Sequence, residues 1–534
     1  MRAGWFGHEG YPAHLELEAD VVVIGSGAGG SSTAAALAER GYSVIVLEEG
    51  RRWAPEQFQA RSTWAFKHLY AGRGTRATRG NCIIPMPGGR GVGGSTLINS
   101  AICFRTPAAV LADWRDNHGC AHLTDAHMGA CFDRIYKTIG VTVNPPEVQR
   151  NNNHIFRQGA EAMGLRGAWM ARSAPGCQGC GTCQQGCSTG GKLSIDRTFL
   201  AQAVATGKVA VHADCRVAGV ETDGDRVVAV TGRTVKPGDY TDDGTFRVTA
   251  RAFVVSAGPI GSPRFLQANG LSDGPVGDHL HIHPTSGVFA KFDQEIVPWE
   301  GVTQGYYVDC WDDGYLLQTF SMPPDQYFVG MPLRGDDLLR MMRDLRHYAS
   351  AGVVVHDEDS VGAVTGTGLV YDLGEIDRKR LLAGLRTAAR VFFAAGAREV
   401  VFSVHDAPIV RSVADIDAAL PDDIPARDIA LYASHPMGTC RMGADARTSV
   451  VDPDGRVWGW RNLHVADASV FPTSLGVNPQ VTVMALALRR GRSGLPSRCG
   501  WTDGRPRRAS LPLAARPYGA ADDALAATKR SSAR

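Results

Sequence analysis

The chain has 534 residues, of which 44% are hydrophobic and 21% are charged, and its formal net charge is +2. This length exceeds one ordinary domain, so we expect two interleaved domains. The small net charge gives no reason to expect a nucleic-acid partner, and no apolar run approaches the roughly 18 residues of a transmembrane segment. Residues 1–16 lack the apolar stretch of a secretion signal, so we expect a cytoplasmic protein whose twelve cysteines are thiols or metal ligands.

The first predicted elements are an apolar strand at residues 21–24, a glycine turn, an Ala-rich helix and a second apolar strand. Gly25, Gly27 and Gly30 have the G-x-G-x-x-G spacing, which permits a tight turn, close approach of a pyrophosphate and close packing of the helix. Glu48 follows about 20 residues after the turn, where a carboxylate can bind ribose hydroxyls. Together they predict a dinucleotide site, since a glycine turn in another α/β protein does not account for the acid.

A second glycine cluster lies in residues 87–105, PGGRGVGGSTLINSAICFR. Its glycines are too dense for a regular element and are typical of a backbone that approaches a flat or anionic group. A flexible surface loop is the alternative. The apolar continuation at residues 96–98 favours a buried loop.

Further strands are predicted to complete the dinucleotide domain. Residues 209–230 alternate in polarity and predict a hairpin with Asp223 and Gly224 at its turn. Residues 253–255 predict a buried strand. It is followed by the sequence Ala-Gly-Pro.

The region 284–428 contains no glycine fingerprint. Alternating segments at residues 305–308 and 316–320 predict strands, and residues 378–395 predict a helix. We assign this region to a sheet that covers the reaction site.

The C-terminal block, residues 433–489, predicts a strand at 463–465 and a helix at 481–488. His435 and Asn478 lie in Gly/Pro-rich turns between buried apolar elements, which is how polar catalytic groups are usually presented. A lone histidine is more often a structural hydrogen-bonding residue, so neither position is decisive by itself.

The motifs taken together resemble the glucose–methanol–choline (GMC) oxidoreductases, a family of flavoenzymes. The matching segments are DVVVIGSGAGG, GVGGSTLIN, VVSAGPIGSPRFL with VGDHLHIHP, and the block from HPMGTCRMG to GVNPQVTVMALA. The resemblance implies an α/β fold in which a Rossmann-like FAD-binding domain is interleaved with a substrate domain built on an antiparallel sheet with helices.

We expect the FAD-binding domain to be discontinuous and the substrate domain to be inserted in it. The expected boundaries are 17–106, 196–283 and 432–491 for the FAD-binding domain, 107–195 for a connecting region with cysteines, 284–431 for the substrate domain, and 492–534 for a disordered tail.

The resemblance also implies a reaction, the oxidation of an alcohol with hydride transfer to flavin N5. His435 is expected to be the base, which suits a histidine near neutral pH. Asn478 occupies a position that is Asn in the cholesterol-oxidase-like branch, and residues 369–401 resemble long-chain alcohol oxidases. We therefore expect a bulky or apolar small-molecule alcohol as substrate, and oxygen, a quinone or an electron-transfer protein as acceptor.

The same resemblance gives a set of expected FAD-binding residues, which share a place in or beside the quoted motifs. They are Gly25, Gly27, Ala28, Gly30, Glu48, Gly91, Gly93, Gly94, Ser95, Asn99, Val217, Ala257, Gly258, Asp467 and Ala468.

One segment departs from the usual family pattern. Cys177, Cys180, Cys183 and Cys187 match the C-x₂-C-x₂-C-x₃-C run of bacterial ferredoxins, which predicts an iron–sulfur cluster. The alternatives are a zinc site, or a loop with free thiols or a local disulfide. A cluster would favour a carrier-coupled dehydrogenase over an oxidase.

Two functions of other classes are weighed against alcohol oxidation. An NAD(P)H-dependent flavin reductase needs a second dinucleotide fold, and the sequence contains one complete fingerprint. A non-catalytic flavin-binding protein has no use for both His435 and Asn478.

Overall fold

The computed structural model describes residues 2–327 and 331–493. Its first large element is a six-stranded sheet in which every neighbouring pair of strands is parallel. The strand order is β1 (Gly4–Phe6), β9 (Val209–His212), β4 (Val44–Leu47), β3 (Val21–Ile24), β13 (Ala252–Val255) and β21 (Leu463–Val465). The central strands are Val/Ile-rich and buried on both faces, as parallel strands covered by helices must be.

The helices against this sheet include α1 (Ala28–Glu39), which follows β3 directly and packs against α12 (Gln480–Ser493) and α6 (Phe199–Ala205). Three further helices follow α1 later in the chain. They are α3 (Ala108–Asn117), α4 (Asp125–Thr138) and α7 (Gly258–Ala268). Both α1 and α7 begin at the carboxyl end of a parallel strand, the usual place for ligands in such sheets.

A four-stranded sheet contains the predicted hairpin. Its order is β10 (Cys215–Asp223), β11 (Arg226–Val235), β12 (Asp242–Thr249) and β2 (His14–Glu18). Asp223 pairs with Arg226 across the turn, which confirms the hairpin, whereas residues 209–212 leave it and join the parallel sheet as β9.

The second large sheet has six antiparallel strands. Its order is β20 (Glu399–Phe402), β14 (Thr285–Lys291), β17 (Tyr348–Val355), β16 (Tyr315–Thr319), β15 (Tyr306–Cys310) and β7 (Gly167–Trp169). The helices α5 (Pro146–Ala162) and α10 (Glu375–Ala394) pack on it and form a second core. Leu317 belongs to that core, so the next side chain, Gln318, lies on the opposite face.

The remaining elements are short. They are β5 (Thr78–Arg79), β18 (Val361–Thr365) and β19 (Gly368–Asp372) in one small sheet, β6 (Thr142–Val143) with β8 (Ala171–Arg172) in another, and the helices α2 (Ser62–Leu69), α8 (Pro324–Tyr327), α9 (Gly335–Asp344) and α11 (Ile416–Ala419).

The expected fold class is confirmed, because a parallel sheet with helices and a separate antiparallel sheet are both present. The domain boundaries stay a prediction, although β7, from the expected connecting region, lies in the antiparallel sheet. The expected tail at 492–534 lies outside the described residues except for the last two positions of α12. Among the described residues, no helix is both long enough and apolar enough to cross a membrane.

Candidate active site and cofactor cradle

The expected FAD-binding motifs meet at the first turn of α1. A Cβ on Gly25 would collide with the carbonyl oxygen of Ser256, and one on Gly30 with that of Gly25. Gly25 also has φ +100°, which only glycine adopts without strain. We call the surface formed by residues 25–30, 91–99, 257–258 and 467–468 the cofactor cradle.

The amino end of α1 is open toward the cradle. Gly27 is the N-cap, and no side chain caps this end. A Cβ on Gly27 would have only the Cα of Gly94 near it, at 3.9 Å. Uncapped backbone N–H groups beside an open space are the arrangement that binds a pyrophosphate, so the residues present fit the expected dinucleotide.

The second glycine cluster lies over this turn. Gly93 N–H donates to Ser26 Oγ at 3.1 Å, and Thr96 and Leu97 are buried. Gly94 has φ +56°, and a Cβ there would lie 2.8 Å from the Cα of Gly27. The prediction of a buried loop is confirmed at residues 96–98, whereas Ser95 is exposed and its hydroxyl accepts from Gly89 N–H at 3.0 Å.

Glu48 is buried at the end of β4, and protein groups occupy its carboxylate. One oxygen accepts from the backbone N–H and hydroxyl of Ser26 at 3.0 and 2.7 Å, and the other from Gly50 and Gly91 N–H at 3.0 and 3.3 Å. Burial raises its pKa, while these hydrogen bonds lower it. A carboxylate has about four acceptor sites, so a ribose hydroxyl would replace one of these partners. Its ribose role stays a prediction.

Asp467 closes the cradle from the C-terminal block. Its carboxylate accepts from Gly258 N–H at 2.9 Å, from Ser262 Oγ at 2.5 Å and from Ser469 N–H at 2.8 Å. Gly258 has φ +79° and no atom within 4 Å of a Cβ placed there, so the start of α7 is also open. Val217 lies apart in β10, half-buried against the main core.

The two expected catalytic side chains are in contact. His435 Nε2 lies 3.1 Å from Asn478 Nδ2, and the Asn478 amide oxygen accepts from Gln318 Nε2 at 3.0 Å. On its other side, His435 Nδ1 lies 3.1 Å from Nδ1 of His283, which is fully buried. We call His283, Gln318, His435 and Asn478 the catalytic cluster.

Chain neighbours of Asn478 and His435 form two hydrogen bonds with the cofactor cradle. Asn99 Nδ2 donates to Gln480 Oε1 at 2.9 Å, two residues after Asn478. Gly438 N–H donates to the Ala468 carbonyl at 3.1 Å, three residues after His435. These bonds bring the polar groups of the C-terminal block beside the residues expected to hold FAD.

A buried carboxylate, Asp357, organises this region. It accepts from Ile282 N–H at 2.6 Å, from His283 N–H at 3.2 Å, from Ser474 Oγ at 2.6 Å and from Tyr371 OH at 3.1 Å. The nearby histidines and these hydrogen bonds lower its pKa in spite of burial. It therefore supplies a fixed negative charge behind the catalytic cluster.

His435 is neutral near neutral pH. Desolvation lowers its pKa to about 4, although the charge of Asp357 acts in the opposite direction. Burial also lowers the pKa of His283. A neutral imidazole is the form that accepts a proton, so this arrangement suits a base.

The backbone fixes the position of the proton on His283. Gly476 N–H donates to His283 Nε2 at 2.8 Å, so the neutral His283 ring carries its proton on Nδ1 and donates to His435 Nδ1. Neutral His435 would then carry its proton on Nε2, opposite another donor, Asn478 Nδ2, so the Gly476 and Asn478 contacts favour opposite tautomers of His435. In this state Nε2 is a hydrogen-bond donor, and it becomes an acceptor only if the protons of both rings shift.

Sequence reasoning missed three members of this arrangement. His283 lies in the quoted motif VGDHLHIHP, which was a usable signal. Gln318 and Asp357 lie in or just after strands of the antiparallel sheet, 160 and 121 residues from Asn478 in the chain. No local pattern marks them.

The structure does not support the expected iron–sulfur cluster or zinc site. Cys177 and Cys183 accept from the Arg172 guanidinium at 3.6 and 3.3 Å, while Cys180 is exposed and Cys187 contacts Thr189. Among residues 2–327 and 331–493, no group of three or more potential ligands is arranged to hold a metal ion. The physical reason is that a buried cation occupies the position between the thiols.

Comparison with known families identifies the class of protein. Residues 20–65 match the FAD binding domain family, and residues 66–285 and 362–487 match the GMC oxidoreductase family. The chain belongs to the GMC oxidoreductases, as the resemblance implied. It is a FAD-dependent oxidoreductase that acts on CH–OH groups.

Several relatives of this chain are GMC-type oxidoreductases or alcohol oxidases. An uncharacterized GMC-type oxidoreductase of Mycobacterium tuberculosis is 37% identical over 88% of this chain and 75% of that protein. A long-chain-alcohol oxidase of Arabidopsis thaliana is 29% identical over 88% of this chain and 66% of its own length. A cholesterol oxidase of M. tuberculosis is 26% identical over 92% of this chain and 93% of that protein.

A solved structure shares the fold. The crystal structure of pyridoxine 4-oxidase from Mesorbium loti superimposes with a TM-score of 0.68 and 19% identity, over 89% of this chain and 98% of that one. At this identity the likeness concerns the fold alone.

Proposed function

We propose that this protein is an alcohol oxidase that converts a bulky or apolar alcohol to an aldehyde or ketone. The observation that carries the proposal is the contact between His435 and Asn478, 3.1 Å apart and bonded through neighbouring residues to the cofactor cradle. Bound FAD supplies the hydride acceptor, flavin N5. The residues of this chain supply position and a place for the proton.

An alcohol gives up a hydride readily only when its hydroxyl proton is removed. We assign that proton to His435 Nε2, and such a base contributes roughly 10²–10⁴-fold to the rate. Asn478 holds the hydroxyl oxygen and is itself held by Gln318. Asp357 stabilises the imidazolium that forms, because its charge raises the pKa of His435.

A second role for His435 is supported by the Gly476 hydrogen bond, which favours a proton on Nε2. In that state His435 donates a hydrogen bond to the substrate oxygen instead of accepting its proton. A residue that replaces His435 must accept a proton in the first role, but it needs only to donate a hydrogen bond in the second. Glutamine donates a hydrogen bond but is not a base.

Three further parts of the proposal concern substrate, acceptor and location. The names of the relatives, long-chain-alcohol oxidase and cholesterol oxidase, support an apolar alcohol and oxygen as acceptor. The cysteines of the described residues other than Cys131 are free, which supports a reducing compartment such as the cytoplasm.

The test is anaerobic flavin reduction in a rapid-mixing instrument, with primary long-chain, aryl and sterol alcohols in turn. Air is then admitted, and hydrogen peroxide is measured. The variants are His435→Ala, His435→Gln and Asn478→Ala, with the remote His347→Ala as control. All four should retain FAD.

We expect one alcohol class to bleach the flavin and air to restore it with release of peroxide. If His435 is the base, the Ala and Gln variants should both lose about 10²-fold or more in the reduction rate. Asn478→Ala should lose less. Near-parental reduction by His435→Gln would show that His435 acts as a donor, and reduction at the parental rate by His435→Ala would remove it from the chemistry.

A further inference from the structure

The cysteine segment, residues 177–187, encloses two buried cations. Arg172 is fully buried in β8, and Lys192 is 3% exposed. The Arg172 guanidinium donates to the Ser100 carbonyl and the Asn144 amide oxygen, both at 2.8 Å, and to the sulfurs of Cys177 and Cys183. No carboxylate is among its hydrogen-bond partners in the described residues.

The Lys192 side chain approaches Cys183 from the C-terminal side of the cysteine segment. Its ammonium donates to the carbonyls of Leu97, Asn99 and Cys183 at 2.8, 2.9 and 3.1 Å, so all three of its protons are used. Burial lowers the pKa of Lys192, although the nearby sulfurs of Cys183 and Cys187 and the carboxyl of Asp196 act in the opposite direction.

The Arg172 guanidinium in the protein interior needs an anion. A guanidinium does not lose its proton in proteins, and an unpaired buried charge is strongly destabilising. The group placed to be that anion is the sulfur of Cys183, 3.3 Å from Arg172 Nη2.

We propose that Cys183 is a thiolate that neutralises the buried Arg172 guanidinium, and that it is a site of oxidation by hydrogen peroxide. Part of this proposal rests on the proposed function, because an alcohol oxidase releases peroxide with each turnover. The thiolate itself does not depend on the substrate.

Electrostatics and access both fit this assignment. Burial alone would raise the pKa of the Cys183 thiol, but Arg172 and Lys192 hold it below its usual value. Thiolates, not thiols, react with peroxide. A narrow surface cleft is lined by Cys187 and Lys192, and Cys177 is half-buried, so molecules as small as water or peroxide can reach the edge of the segment beside Cys183.

The chemistry involves two steps. The Cys183 thiolate attacks peroxide, the O–O bond breaks, and the products are a sulfenic acid and hydroxide. The Cys177 thiol then attacks this sulfur and releases water, which leaves a Cys177–Cys183 disulfide. Two electrons leave the sulfurs, and one peroxide is reduced to water and hydroxide.

Oxidation would act on the cofactor cradle. Arg172 and Lys192 hold the carbonyls of Leu97, Asn99 and Ser100, which belong to or adjoin the loop expected to line FAD. Loss of the thiolate leaves the buried Arg172 guanidinium without an anion, which loosens this loop. We therefore expect peroxide to weaken FAD binding.

The experiment treats the FAD-loaded protein with hydrogen peroxide and quenches it with catalase. Released FAD is measured by fluorescence, and the cysteines are mapped by mass spectrometry of peptides. We expect a Cys177–Cys183 disulfide, loss of most bound FAD, and recovery after dithiothreitol. Cys187→Ser, in the same segment but without a guanidinium contact, should respond to peroxide as the parent does.

Charge rescue separates an anion from a merely structural cysteine. Cys183→Ala should weaken FAD binding by about 100-fold or more, as expected when one partner of a buried ion pair is removed. Cys183→Asp restores a negative charge that peroxide cannot oxidise, so it should retain FAD before and after treatment. Equal loss of FAD in both variants would overturn the thiolate assignment.

If Cys183→Asp does not fold, experiments on the parent protein still test whether Cys183 is an oxidation site. Free Cys177 and Cys183 thiols after a treatment that oxidises other cysteines would overturn the oxidation site. The oxidation site would also be overturned if anaerobically purified protein bound iron or zinc stoichiometrically and Cys183→Ala lost that metal. Because peroxide is added, the outcome does not depend on alcohol oxidation. A positive result without peroxide release would refute only the oxidase proposal.

Discussion

At the scale of single residues, two glycines of one turn have different roles that the structure separates. Gly30 has no room for a side chain, because a Cβ would collide with the Gly25 carbonyl. Gly27 has room and ordinary extended backbone angles, φ −68° and ψ −167°. Its lack of a side chain is therefore explained by a ligand and not by the fold.

The Gly27→Ala variant tests this distinction. We expect it to fold with the parental midpoint in urea but to be purified with little FAD, because its methyl group lies where the pyrophosphate must approach. The measurement is the ratio of flavin absorbance to protein. Gly30→Ala should lose stability as well as FAD. A Gly27→Ala protein that is fully loaded with FAD would place the pyrophosphate elsewhere.

The pH dependence of flavin reduction reports on His435. A base must be neutral to accept a proton, and burial lowers the pKa of His435 to about 4. The rate constant for flavin reduction should therefore stay constant from pH 8 down to pH 5 and fall as the pH drops through about 4. A fall centred on the ordinary histidine pKa, about 6.5, would contradict this environment for His435.

The sequence allowed only some of the residues in the site to be predicted. His435 and Asn478 lie in motifs of one C-terminal block, and their contact at 3.1 Å agrees with the sequence-based expectation. Gln318 and Asp357 reach the same place from the antiparallel sheet, and their selection depends on strand register and long-range packing. The iron–sulfur cluster predicted from the cysteine spacing is not supported, and that spacing does not reveal the buried Arg172 beside the thiols.

At the scale of elements, prediction was reliable where local pattern and burial agree. The strands predicted at 253–255 and 463–465 match β13 and β21 to within one residue, and the helix predicted at 378–395 matches α10. The hairpin predicted at 209–230 merges two elements, since β9 pairs with β4 in the parallel sheet. Alternation within a strand carries no information on which neighbour it pairs with.

Helix packing gives a prediction at this scale. Gly384 lies inside α10, and a Cβ there would collide with Val353 Cγ1 on β17. Alanine usually stabilises a helix interior by about 1 kcal/mol relative to glycine, but overpacking of a core costs about 1–3 kcal/mol. Gly384→Ala should therefore lower the free energy of unfolding measured in urea.

The matched control is Gly129, which lies inside α4 with no atom within 4 Å of a Cβ placed there. Gly129→Ala should raise the free energy of unfolding by up to about 1 kcal/mol. If the two substitutions changed stability in the same direction, the close packing of α10 on β17 would be wrong.

At the scale of the whole molecule, the site exists only where the two sheets meet. The parallel sheet presents α1, α7 and the glycine loop at one edge, and the antiparallel sheet supplies Gln318. The two largest cores lie against the two sheets and meet near the site, since Leu316 of the antiparallel sheet belongs to the first core and Ile260 of α7 to the second. The FAD motifs are local in the sequence, whereas the substrate side depends on long-range packing, so the FAD motifs were easier to predict.

Stability of the whole molecule depends on pH through its buried histidines. Burial lowers the pKa of His212 to about 4, and no hydrogen bond satisfies its Nδ1 within the part of the chain that the structure describes. The unfolded chain has the ordinary value, about 6.5, and therefore binds more protons than the folded chain between pH 6.5 and 4. The favourable contribution of neutral His212 is thus present above pH 6.5 and is lost as the pH falls.

Buried carboxylates such as Asp377, whose pKa burial raises to about 6, act in the opposite direction, so one histidine must be isolated. His212 stacks on Phe6 with ring centroids 4.7 Å apart, and His212→Phe retains this packing without a proton site. Relative to the parent, this variant should gain roughly 2 kcal/mol of unfolding free energy between pH 8 and pH 5. Urea titrations at both pH values measure the gain, with the exposed His14→Phe as control. A difference between parent and variant that does not change with pH would show that His212 is not buried as described, because only a pKa that differs between the folded and unfolded chains makes stability depend on pH.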